Sequence, residues 1–243
     1  MHPSRPPSDP RVPLAHAAAE AHHGPARHLH ASKPGERPLA LVGGGDHAVV
    51  VIDAALRSGW QVLGCFAEHC REGLVQLGSD PVAATPEQLA EMALMVAFAG
   101  KPGEGVRAAA IARLGGVHWA TVIHPSAVVS PSALIGQGVY IGANAVIGPE
   151  ADIGDHCIIN TAAVVEHHCR IGAATHVASG AVLGGGVQVG SLSWVGLGSR
   201  VRDHLDLGPH VVVGMGAVVV RDVPAHTTVV GNPAHVLEKL GGP

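Results

Sequence analysis

Aliphatic residues recur at every sixth position over the C-terminal half of the chain. From Ile123 to Val219, all seventeen positions counted in steps of six hold Ile, Val or Leu. The residue four places later is usually small, and the residue directly after the aliphatic is often Gly. A period of six matches neither an α-helix nor plain strand alternation. It predicts a parallel β-solenoid with three flat sides, one hexapeptide to a side, in five to six coils.

Residues 38–121 show a different pattern, in which short aliphatic strands alternate with helices. We predict strands at residues 39–42, 61–66, 93–99 and 117–121, and helices at residues 49–56, 86–91 and 104–114. This alternation predicts a small Rossmann-like α/β domain with a parallel sheet, whose ligands bind at the carboxyl ends of the strands. The glycine-rich turn at residues 43–48 precedes the first helix, where backbone N–H groups can hold a phosphate.

The chain therefore divides into four parts. We predict a disordered extension at residues 1–37 with a short helix near residues 14–21. A Rossmann-like domain at 38–121, the solenoid at 122–232 and a tail at 233–243 follow. With aromatic residues at 2% and 33 glycines, the core must be filled by Val, Ile, Leu and Ala, which favours a regular interior.

Charge and composition narrow the function further. A net charge of −4 with 15 basic residues gives no basic footprint for nucleic acid. No apolar run approaches the roughly 20 residues of a membrane helix. The four cysteines lack metal-site or disulfide-framework spacing, and the N-terminus lacks a signal-peptide core, so we expect a cytoplasmic location.

Three polar residues, Glu166, His167 and His168, follow the inward Val165 and are predicted at a corner of the coil. One coil further along the chain, residues 184–186 are all glycine. The missing side chains should leave a notch beside His167, with backbone N–H groups open to a ligand. Imidazole is suited to proton transfer near neutral pH. An ordinary solvated corner is the alternative interpretation.

These residues, together with Gly43–Gly44–Gly45–Asp46–His47, Ile123–His124–Pro125–Ser126–Ala127, Asn160–Thr161 and Gly231–Asn232–Pro233–Ala234, carry a resemblance over residues 39–240. The chain resembles the hexapeptide-repeat acyltransferases, in particular the nucleotide-linked amino-sugar N-acetyltransferases and the sialic-acid O-acetyltransferase-like proteins. The resemblance implies a left-handed β-helix and a homotrimer with active sites between subunits. It also implies acetyl-CoA as cosubstrate and no metal.

The resemblance also implies roles for individual residues. His167 matches the general base, and the backbone N–H of Gly185 matches a donor to the thioester carbonyl. The family often has an acid after the base; here that residue is His168, which leaves Glu166 as the neighbouring acid for orienting the imidazole. Acetyl-CoA contacts are implied at His176, Gly185, Gly196, Leu197, Gly214, Met215, Asn232 and Pro233. Nucleotide-sugar contacts are implied at Gly45, Asp46, His47, Glu68, Gly78 and Asn160.

Several alternatives stay open at this point. His176 and Asn160 are equally compatible with a trimer interface, for which we also expect Val211 and Val218 to face outward. N-acetylation of a nucleotide-linked amino sugar for surface glycan synthesis is the favoured function, with O-acetylation of a sialic-acid-type sugar as its alternative. A zinc lyase like the γ-carbonic anhydrases and a non-catalytic scaffold are alternatives of other classes.

Overall fold

The structure, a computed structural model, describes residues 32–237. It begins with an α/β domain whose parallel sheet has the strand order β3-β2-β1-β4-β5. Its strands are β1 (Leu39–Val42), β2 (Val62–Phe66), β3 (Gln76–Gly78), β4 (Ala93–Val96) and β5 (His118–Trp119). Its helices are α1 (Asp46–Arg57), α2 (Pro86–Ala90) and α3 (Val106–Ala112), with a 3-10 turn at Pro81–Ala83.

The central strands of this sheet are covered on both faces. Every residue of β1 and β4 is buried, as expected for parallel strands between helices. Helix α1 starts directly after the glycine turn and buries Ala48, Val51 and Ala54 against the sheet. Because the buried face of this helix consists of small residues, the helix can lie close to the strands.

The solenoid consists of two-residue strands joined by tight corners. The strands are β6 (Val122–Ile123), β7 (Val128–Val129), β8 (Leu134–Ile135), β9 (Tyr140–Ile141), β10 (Val146–Ile147), β11 (Asp152–Ile153), β12 (Ile158–Ile159), β13 (Val164–Val165), β14 (Arg170–Ile171), β15 (His176–Val177), β16 (Val182–Leu183), β17 (Gln188–Val189), β18 (Trp194–Val195), β19 (Arg200–Val201), β20 (Asp206–Leu207), β21 (Val212–Val213) and β22 (Val218–Val219), closed by β23 (Thr228–Val230) and β24 (His235–Val236). Each of the seventeen hexapeptide aliphatics is the second residue of its strand, so the predicted repeat is confirmed.

The strands form three parallel sheets, which we call the first, second and third sides. The first side begins with β6 and β9, the second with β7 and β10, and the third with β8 and β11. Strands pair with those one coil away, such as Val146 with Val164 and Val164 with Val182. The repeat therefore fixes the register, and residues eighteen apart lie directly above one another.

The core of the solenoid is filled by the repeat aliphatics and the small residues between them, including Ala145, Cys157 and Ala163. At every corner from Gly138 to Gly216, one residue has positive φ, whether it is Gly or not. Among them, His156 and His168 both have φ of 59°. Most of the glycines that directly follow an aliphatic are required there, because an added Cβ would come within 3 Å of the next coil.

The first side of the solenoid packs against the α/β domain. Val122, Tyr140 and Ile158 lie in the same buried cluster as β1 and α1 residues. From α3, the buried Arg107 donates hydrogen bonds to the carbonyl oxygens of His156 and Ala174 at a solenoid corner. The two units therefore share one core.

Some boundaries differ from those predicted. Strand β3 was not predicted, and the observed helices and strands of the α/β domain differ from the predicted spans by up to three residues at an end. The expectation that Val211 faces outward is wrong: it occupies an inward small-residue position and is fully buried, whereas Val218 is partly exposed. Residues 1–31, including the predicted short helix, and residues 238–243 lie outside the described part.

Both ends of the described chain are tied to the fold. Ser32, in the predicted extension, is buried and its backbone N–H donates to the carbonyl of Trp119. In the predicted C-terminal tail, β24 pairs antiparallel with β23.

Candidate active site

The two adjacent histidines lie at the corner between the second and third sides, directly after β13. Both His167 and His168 are exposed. Their Nδ1 atoms are 2.9 Å apart, and the rings are nearly perpendicular, at 87°. The residue before them, Glu166, is also exposed. The corner therefore presents an imidazole to the outside of the solenoid, as the spacing predicted.

The glycine one coil away lies directly beneath this imidazole. A Cβ at Gly185 would come within 2.5 Å of both Cε1 and Nε2 of His167. Gly185 is buried, and the N–H of Gly186 donates to the carbonyl of His167 at 2.8 Å. The expected notch is thus occupied by the imidazole itself, and the expectation of fully open glycine N–H groups is corrected. The absence of a side chain at 185 is what gives the ring its place.

An acid that was not predicted at the site, Glu150, contacts this pair. Glu150 Oε2 lies 2.9 Å from His168 Nε2. In the described residues, no hydrogen bond joins Glu166 to either imidazole. Glu150 is eighteen residues before His168, as His167 is before Gly185. The same eighteen-residue spacing could therefore have predicted that Glu150 lies next to His168.

A second polar cluster lies at the corner between the first and second sides. The Asn160 side-chain N–H₂ lies 3.3 Å from His176 Nε2, and Asn160 Oδ1 accepts from the Thr161 backbone N–H at 2.8 Å. His176 packs on Trp194 with ring centroids 4.1 Å apart. Because Asn160 donates to its Nε2, His176 carries its proton on Nδ1, which is buried without a partner in residues 32–237.

Burial keeps this cluster neutral. Desolvation, then the charges of His47 and Arg107, lower the pKa of His176 to about 3. His47, from α1, packs edge-on against Tyr140, and burial followed by the charge of Arg107 lowers its pKa to about 4. Both histidines therefore act as neutral hydrogen-bonding groups near pH 7.

The remaining residues expected near acetyl-CoA lie along the same corner. Leu197 and Met215 are 54% and 80% exposed, one coil apart, and lie above Thr161 in the same column. Asn232 and Pro233 are exposed between β23 and β24. Gly196 and Gly214 have a packing role, because a Cβ at either would come within 2.7 Å of the next turn of chain. The acetyl-CoA contacts of all these residues stay predictions.

The α/β domain has a cavity of about 190 Å³ at the carboxyl ends of its strands. Among its lining residues are Gly43, Phe66, Asp80, Phe98 and Arg113. The Arg113 guanidinium donates to Asp80 at 2.6 Å. Hydrogen bonds from the Val82 backbone and Arg113 hold the pKa of Asp80 below its usual range.

The predicted substrate residues of this domain lie near the carboxyl ends of its strands but do not line the cavity. Gly45 has open space where a side chain would be, Asp46 pairs with Arg71, and Glu68 is exposed. Gly78 packs on Phe66 and directly precedes Ser79, which does line the cavity. Arg113 was missed because it directly follows α3, far along the chain from the glycine-rich turn.

The His167 corner and the Asn160 corner lie at opposite ends of β13. Within residues 32–237 no three His, Cys, Asp or Glu side chains are grouped to hold a metal ion, and no helix has the length and apolarity to cross a bilayer. The exposed imidazole is suited to proton transfer, and the neutral Asn160–His176 pair to hydrogen bonding.

Comparison with solved structures reveals close similarity over the whole described fold. PerB from Caulobacter crescentus, in complex with CoA and GDP-perosamine, is 36% identical, covers 85% of this chain and all of its own, and has a TM-score of 0.75. The acetyltransferase domain of PglB from Neisseria gonorrhoeae FA1090, in complex with acetyl coenzyme A, is 34% identical, covers 84% of this chain and all of its own, and has a TM-score of 0.75.

WeeI from Acinetobacter baumannii AYE shares the fold at 24% identity, covering 83% of this chain and all of its own with a TM-score of 0.71. No protein-family model and no curated protein matches the sequence.

Proposed function

We propose a catalytic base, a substrate arrangement and an assembly for this chain, which belongs to the hexapeptide-repeat sugar acetyltransferases. The chain is an acyltransferase that uses acetyl-CoA and acts on the amine of a nucleotide-linked sugar. We infer that His167 is the general base and that the product enters surface glycan synthesis. A cytoplasmic location stays a prediction.

In the proposed reaction, the neutral amine attacks the thioester carbonyl carbon. The C–N bond forms, the C–S bond breaks, and the amine proton moves to Nε2 of His167. The CoA thiolate then takes that proton and leaves as the thiol, which balances the reaction. A base within hydrogen-bond reach typically contributes about 100- to 10,000-fold.

The position of His167 carries this proposal. Its imidazole is exposed at a corner, and the missing side chain at Gly185 gives the Nε2 edge of the ring its place. The backbone N–H of Gly185 is the proposed donor to the developing oxyanion.

The second side supports a homotrimer. Its outward positions hold valine in every coil but one, where Arg200 replaces it; these are Val128, Val146, Val164, Val182 and Val218. An apolar stripe on one flat side, here interrupted at Arg200, is typical of an interface. In a trimer built on this side, the His167 corner of one copy faces the Asn160 corner of the next. The base would then meet the acetyl-CoA residues Leu197 and Met215.

The α/β domain is the proposed site for the nucleotide. Its cavity lies at the carboxyl ends of the strands, where such folds bind ligands, and Arg113 supplies a cation for phosphate. His47, between this domain and the solenoid, is suited to contact the sugar end.

The test is a screen of the purified protein with acetyl-CoA and nucleotide-linked amino sugars, following release of the CoA thiol. We expect turnover that is lost in His167→Asn and kept in His210→Asn, an exposed histidine at the corner between the third and first sides. Retained turnover in His167→Asn would remove the base from the mechanism. A product cleaved by hydroxylamine would indicate an ester, and hence O-acetylation.

A further inference from the structure

A row of close polar contacts connects Glu150, His168 and His167. Glu150 Oε2 is 2.9 Å from His168 Nε2, and His168 Nδ1 is 2.9 Å from His167 Nδ1. The opposite edge of the His167 ring, at Nε2, lies over Gly185. The row therefore starts at a carboxylate and ends at the atom proposed to accept the substrate proton.

The register of the solenoid strands places Glu150 and His168 next to each other. Glu150 and His168 occupy equivalent corner positions in successive coils, each with φ of 59°. The His168 N–H donates to the carbonyl of Pro149 at 3.0 Å, which ties the two corners together. The next residue in the column is Gly186, so no side chain competes for His168 from above.

The donors and acceptors in the row follow from the carboxylate. An ionised carboxylate only accepts hydrogen bonds, so its close contact with Nε2 of His168 favours the form of that ring with a proton on Nε2. A neutral His168 then has a bare Nδ1, which can only accept. His167 must therefore donate from its own Nδ1–H, and its Nε2 is left with a free lone pair.

We propose that Glu150 and His168 are positioning residues that hold His167 in the tautomer whose Nε2 is the base. This inference rests on the proposed function of His167. When Nε2 takes the amine proton, the imidazolium keeps its Nδ1–H bond to His168, and the Glu150 carboxylate stabilises the charge through that ring. The logic is that of a catalytic triad with an imidazole inserted between acid and base.

The exposure of the row separates this role from a structural one. The side chains of His168 and Glu150 are 61% and 65% exposed, and exposed ion pairs contribute little to stability. Loss of Glu150 should therefore affect the chemical step far more than the fold.

The first experiment compares steady-state kinetics of Glu150→Ala with the parent protein. We expect kcat to fall roughly 10- to 100-fold from the loss of the carboxylate beside His168, with KM for acetyl-CoA within about 2-fold and Tm nearly unchanged. Glu150→Gln keeps an acceptor oxygen without the charge, so its kcat should lie between those of Glu150→Ala and the parent. An unchanged kcat in Glu150→Ala overturns the proposal.

A second variant supplies the matched control. Aspartate at 168 would place a carboxylate oxygen the same number of bonds from Cβ as Nδ1 is now, and it tolerates positive φ. His168→Asp should therefore retain most of the activity, and adding Glu150→Ala to it should change kcat less than about 2-fold. An equal loss from Glu150→Ala in both backgrounds would mean that Glu150 acts only on structure, and the proposal fails.

Nitrogen NMR of histidine-labelled protein tests the tautomer without any substrate. The His167 signal, assigned by its loss in His167→Asn, should show a protonated Nδ1 and a bare Nε2 in the parent, and a mixture of tautomers in Glu150→Ala. The same tautomer mixture in both proteins overturns the proposal. Since this readout needs no turnover, it distinguishes failure of the relay from failure of the proposed acetyl transfer.

Discussion

Mild acid should destabilise this fold through a buried histidine, His156, before most carboxylates titrate. The residue is 9% exposed, and its ring packs edge-on against Trp119 with centroids 4.6 Å apart and fills the space that a Cβ at Gly138 would need. Desolvation, followed by the charge of Arg107, lowers the pKa of His156 to about 4, although Asp155 opposes the shift. The native state therefore holds a neutral imidazole.

The size of the effect follows from proton linkage. In the unfolded chain this histidine has a pKa of 6.5, so between that value and about 4 only the unfolded state takes up the proton. The stability is present above the unfolded pKa and is lost as the pH falls towards the folded pKa. At 1.36 kcal/mol per pKa unit, His156 alone should cost about 2 kcal/mol between about pH 7 and pH 5.

The assay is urea unfolding of the parent and His156→Asn at both pH values and at one protein concentration. Asparagine tolerates the positive φ, so the variant loses packing at neutral pH but should lose about 2 kcal/mol less than the parent on acidification. His210→Asn, at an exposed position with φ of 58°, controls for the exchange at a corner. If parent and His156→Asn lost the same stability on acidification, the reasoning about this buried ring would be refuted.

Two further predictions concern contacts between distant residues. Gly185→Ala should displace the His167 ring, since its Cβ would lie 2.5 Å from Nε2, and should lower kcat roughly 10-fold or more while Gly115→Ala, in open space, does not; equal turnover in both variants would contradict this. Arg107→Met keeps the apolar stem but leaves the carbonyls of His156 and Ala174 without their donor, so urea unfolding should show a loss of about 2–4 kcal/mol; a loss under about 0.5 kcal/mol would show that the contact between α3 and the solenoid is dispensable.

The periodic part of this protein is determined by local sequence. One hexapeptide buries its aliphatic in the same way as the next, so the position of every solenoid strand from β6 to β22 follows from counting. Counting also places His167 against Gly185, and would have placed His168 above Glu150, because in a parallel stack the residue eighteen places away is always the neighbour.

What counting does not determine is the direction of a side chain at a corner and the contacts between the two unlike units. Only the tertiary structure places His47 against Tyr140 and sends Arg107 into the His156 corner, since these pairs belong to no common period. It also decided that the gap at Gly185 holds an imidazole, because a missing side chain defines a space but not what enters it.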